Sequence, residues 1–163
     1  VAAAITQSIA LVQSITYATS SSNAAPTRVL EFGGALSDIG WAIDAGDNTG
    51  AQTATKRALE AIHELADCLK RGEWRQSDWD ADSIGLWTGL LGARNAAHHT
   101  SSSVVVKHSD MPRDDRLRWD LDADVIAGLH SPAQKVEYNA RVAGQPVLPQ
   151  LRSVLGLLTA AAS

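Results

Sequence analysis

Arg94, Asn95, His98 and His99 stand within one run, Arg94-Asn95-Ala96-Ala97-His98-His99, and their types suit chemistry on a phosphate. A guanidinium presents a fork of donors that holds two phosphate oxygens and neutralises charge developing in a transition state. Imidazoles exchange protons near neutral pH, and a side-chain amide orients either group. On a helix at about 100° per residue, Arg94, His98, Asn95 and His99 fall in that angular order across an arc of about 140°. Arg94/His98 and Asn95/His99 have i,i+4 spacing, so the members of each pair are neighbours on the helix surface. An ordinary structural use competes with this one. The helix dipole favours cations at a C-terminal end, where Arg94 would cap carbonyls or pair with an acidic neighbour.

The helix that must carry these residues is predicted from a cap at Asp82 or Ser83 to about His99. Ile84, Trp87 and Leu91 lie on one line and are expected to face the core, beside a strip of Gly85, Gly89, Gly92 and Ala96. Each helical glycine costs about 1 kcal/mol relative to alanine, so the strip implies close approach of another helix. That helix belongs either to this chain or to a second copy.

Earlier amphipathic stripes run through Ile5, Ile9, Val12 and Ile15, then Val29, Phe32, Leu36, Ile39 and Ile43, then Ala54, Ala58, Ile62, Leu65 and Leu69. A Ser/Asn/Ala/Pro connection from Thr19 to Pro26 joins the first two. Gly46, with the turn-like Asp47-Asn48-Thr49-Gly50, stops the second, and Gly72 ends the third. After the fourth helix the period changes, and residues 103–108 and 116–121 read as two short strands around a polar turn. Ser131-Pro132 starts a helix, Gly144-Gln145-Pro146 breaks it, and Pro149 opens a last one through Leu151, Val154, Leu155 and Leu158. The expected fold is mainly α, an up-and-down helical bundle with a short β-hairpin insertion after the fourth helix, in a single domain over residues 1–163.

The whole-chain numbers agree with a globular protein and narrow its functions. The chain has 163 residues, 45% hydrophobic and 20% charged, enough to bury a core. A formal charge of −4 argues against a broad nucleic-acid surface but leaves room for a local anion site. No apolar run approaches the roughly 20 residues of a membrane helix. Residues 1–18 are apolar-rich but broken by polar residues and have no basic leader, so they do not read as a secretory signal. Cys68, the one cysteine, has no internal partner, which is compatible with a reducing, cytoplasmic setting.

The run Arg94-Asn95-Ala96-Ala97-His98-His99 resembles the R-N-x-x-x-H motif of HEPN domains, the higher eukaryotes and prokaryotes nucleotide-binding group. The resemblance implies a small helical bundle with a minimal core over about residues 27–101, leaving the hairpin and C-terminal helices (103–163) outside it. It further implies a homodimer with paired motifs across a cleft, and metal-independent cleavage of RNA to a 2′,3′-cyclic phosphate and a free 5′-hydroxyl. By the same resemblance Arg94 would bind and polarise the scissile phosphate, His99 would act on the 2′-hydroxyl or the leaving oxygen, Asn95 would orient it, and His98 would be accessory. A toxin or defence setting, with an antitoxin or other protein partner, comes with the family. Some toxin members continue with a tyrosine two residues after the histidine, where this chain has Ser101.

Other readings draw on other residues. His98, His99 and His108 are candidate metal ligands, but no cysteine or H-E-x-x-H pattern completes a zinc set, so no metal or cofactor is expected. His63 and His130 read as surface or packing residues. Asp110, Asp114, Asp115, Asp120, Asp122 and Asp124 lack calcium-loop spacing and read as solvated turn residues. Residues 73–83 form an acidic loop; its Trp74 and Trp79, like the other tryptophans, read as core or interface anchors, and would serve a protein partner if the chain is a non-enzymatic interaction or assembly subunit.

Overall fold

A computed structural model of the chain describes residues 24–99, 104–121, 129 and 131–161. The stripe from Ile5 to Ile15, most of the connection from Thr19, and Asp122, Asp124 and His130 lie outside the described residues. Among the described residues the fold is a helical bundle with one short antiparallel hairpin. Helix α1 spans Ala25–Ala45, α2 Asn48–Lys70 and α3 Ala81–His99; strands β1 (Val105–Lys107) and β2 (Leu117–Trp119) follow. Helix α4 (Pro132–Glu137) runs on through a wider turn at Tyr138–Val142, and α5 is Val147–Ala161.

The boundaries follow local chemistry. Gly46 ends α1 at φ 69°, a left-handed conformation, and its N–H reaches the carbonyls of Ala42 and Ile43. Asp47 to Gly50 is not a free turn, because the Asp47 carboxylate accepts the Gly50 N–H at 2.9 Å and caps α2, which starts at Asn48, six residues before the expected stripe. The cap of α3 is likewise Asp80, whose carboxylate accepts the Ser83 N–H at 2.7 Å, rather than Asp82 or Ser83. Ser131 caps α4 as expected. Helix α5 begins two residues before Pro149.

The hairpin pairs Val105 with Trp119 and Lys107 with Leu117. Its connecting turn carries Arg113, which bonds Asp44 of α1 and Asp114, while Asp114 also holds Arg152 of α5. The core is continuous from Phe32, Leu36 and Ile39 of α1 and Leu59, Ile62 and Leu65 of α2 to Leu148, Leu151 and Leu158 of α5. Among the described residues beyond 103, Val104, Trp119, Tyr138, Leu148, Leu151 and Leu158 therefore share one core with the earlier helices. No described helix is long and apolar enough to cross a membrane.

Candidate site at the end of helix α3

Helix α3 is set in place by two faces. Trp87, Leu90, Ala93 and Ala96 are buried against the core, whereas Ile84, expected on that face, is 41% exposed. The displacement has a physical cause: the glycine strip, not the Ile84 line, takes the closest neighbour. That neighbour is this chain's own α4 and the turn after it. A Cβ at Gly85 would run into Arg141, one at Gly89 would meet Val142 Cγ2 at 2.8 Å and the Glu137 carbonyl at 3.1 Å, and one at Gly92 would meet Leu129 at 3.0 Å and Gln134 at 3.2 Å. The strip is thus an intrachain crossing and is not open to a second copy.

Burial of that strip turns the remaining face of α3 outward at its C-terminal end. Arg94 has a side chain only 14% exposed. Its Nη2 and Nε donate to a single carboxylate oxygen of Glu60 on α2, at 3.1 and 3.4 Å. Its Nη1 donates to Asn95 Oδ1 at 3.5 Å, the outer limit of a hydrogen bond. Asn95 Nδ2 in turn donates to Gln134 Oε1 of α4 at 2.9 Å. His98 and His99 are exposed, with ring centroids 5.3 Å apart in an edge-to-face arrangement. The structure therefore gathers all four predicted residues at one helix end, but with different exposure. The amide and guanidinium are part-buried against neighbouring helices and the imidazoles are exposed.

Two residues that bear on this site were not singled out by sequence reasoning. Glu60 sits on the polar face of α2, where nothing in its spacing distinguishes it from Glu64. Gln134 had a weak signal: it lies three residues after the cap Ser131, on a helix that the glycine strip called for without identifying.

Other expectations need correction. Of the two readings of Trp74 and Trp79, core anchor and partner anchor, the structure has the first: they are 3% and 9% exposed, and Trp74 Nε1 donates to the Leu65 carbonyl at 2.7 Å. With Trp87 they form a three-ring cluster with centroids 5.5 to 5.7 Å apart, edge-on or tilted, which is a packing arrangement. The large apolar side chains that α1 does expose are Leu30 and Trp41. Asp114 is not simply solvated: its bonds to Arg152 and Arg113 hold its carboxyl below the usual range. His63 lies 3.9 Å from Asp67 on the surface of α2. Among the described residues no group of three His, Cys, Asp or Glu is placed to hold a metal ion.

The chain matches no protein-family model, no curated protein and no solved structure.

Proposed function

We propose that this protein binds and cleaves RNA in the manner of HEPN ribonucleases, with Arg94, Asn95, His98 and His99 as the site. The observation that carries the reading is the grouping of a guanidinium, an amide and two surface imidazoles at one end of α3. In this chemistry the 2′-hydroxyl attacks the adjacent phosphorus, the bond to the 5′-oxygen breaks, and a 2′,3′-cyclic phosphate results. His99 takes the 2′-hydroxyl proton or delivers one to the departing oxygen. Arg94 neutralises charge on the phosphate oxygens. His98, beside His99, serves the other proton transfer, or a second copy's histidine does so across a homodimer. Because α4 fills the glycine strip, such a dimer would pair through the exposed end of α3.

The test is cleavage of RNA by the full chain in EDTA, with product ends identified. Arg94→Ala and His99→Ala should each lower the rate by 100-fold or more, on the order expected for losing a charge stabiliser or an acid–base group, while circular dichroism shows the fold kept. Equal cleavage by wild type and both variants, or none by any of them, rejects the reading.

A further inference from the structure

The contact between Glu60 and Arg94 has the form of an occupied anion site. Both donors on one edge of the guanidinium, Nε and Nη2, point at one Glu60 oxygen. That edge is the one by which arginine holds a phosphate. The two partners are unequally placed: the Arg94 side chain is 14% exposed and that of Glu60 50%. Arg94 is therefore the more buried partner, and Glu60 regains water when it turns away, so the guanidinium needs another anion in its place. Lys56, four residues before Glu60 on α2, lines a surface groove with Glu60, Arg57, Glu31 and Glu64, and is the cation at i,i+4 spacing toward which Glu60 can turn. Asn95 does not move with Glu60, because its amide is held from the other side by Gln134.

We propose that Glu60 is a built-in competitor for the Arg94 oxyanion site. At rest its carboxylate fills the guanidinium edge. A phosphate monoanion or phosphodiester displaces it, and Glu60 turns toward Lys56. The identity of the displacing ligand as RNA rests on the ribonuclease reading above; competition for Arg94 by an oxyanion does not.

The experiment measures inorganic phosphate binding to the full chain, followed at the Arg94 Nε–H resonance, and separately the KM for RNA. Glu60→Gln should bind phosphate about fivefold more tightly than wild type, the scale of release from one partly exposed ion pair. Lys56→Ala, which removes the alternative partner, should bind it more weakly. The KM for RNA should follow phosphate affinity in both variants. Unchanged or weaker phosphate binding in Glu60→Gln, with or without a lower melting temperature, overturns the proposal and leaves the pair as a link between α2 and α3. Failure of Glu60→Gln to fold also overturns it, because it makes the contact indispensable to the structure. Tighter phosphate binding without RNA cleavage by any form keeps the competitor and rejects the ribonuclease.

Discussion

The Cys68 thiol is 1% exposed, and burial first, then its bond to Glu73, push its pKa up. Thiolate is the reactive form, so both effects protect it. At pH 8 an aromatic disulfide reagent should leave Cys68 unlabelled in the folded protein and label it fully in denaturant; rapid labelling of the native chain would contradict the packing described. The same scale shows what could be read from residue types alone. The angular order of Arg94, His98, Asn95 and His99 follows from helix geometry, and all four do lie in the last turns of α3. Their partners were not readable, because Glu60 and Gln134 lie 34 and 39 residues away and only the assembled fold brings them in. A polar residue on a helix surface carries no mark of which neighbour it will meet.

Among the elements, α3 and α1 make opposite demands on their glycines. At Gly89 an added methyl would press on Val142 and the Glu137 carbonyl, while at Gly34, exposed on α1, it would meet nothing within 4 Å. Gly34→Ala should therefore stabilise the protein by up to about 1 kcal/mol, the helix-propensity difference. Gly89→Ala gains the same propensity but should lose about 1–3 kcal/mol to overpacking. Thermal or urea unfolding of the pair of variants checks the contrast, and a stable Gly89→Ala would show that α4 can be displaced. Periodicity was a good guide here: the stripes of Val29 to Ile43 and Ala54 to Leu69 are buried as their spacing requires, save Leu69, which is only half-buried near the end of α2. It failed at Ile84, because the apolar line is only one of two faces competing for burial and backbone contact over glycine won. The partner reading of Trp74 and Trp79 came instead from loop composition, and it failed because a polar-looking loop folds its two indoles inward to complete a cluster with Trp87.

For the molecule as a whole, a chain of charges closes the bundle. Asp44 of α1, Arg113 and Asp114 of the hairpin turn, and Arg152 of α5 are joined in series. Hydrogen bonds from Arg113 to Asp44, and from Arg152 and then Arg113 to Asp114, hold both carboxyls below their ordinary value of 3.8. A carboxylate whose folded pKa is depressed stabilises the fold above its unfolded value and loses that contribution as pH falls through the folded one. The contribution is thus full at neutral pH and fades below about pH 4. Asp114→Asn should flatten the dependence of urea midpoint on pH in that range, and a wild-type midpoint that does not fall on acidification would show the network to be idle.

The glycine strip also sets an order of events for a chain made from its N-terminus. Helix α2 and its Glu60 are already present when Arg94 emerges, but α4 and Gln134 follow only 39 residues after Asn95. Until then α3 carries an open furrow along Gly85, Gly89 and Gly92, shaped for one particular helix. A half-made or truncated copy keeps that furrow open to the α4 of a neighbour, so exchange of the C-terminal arm between chains is the misassembly this geometry invites.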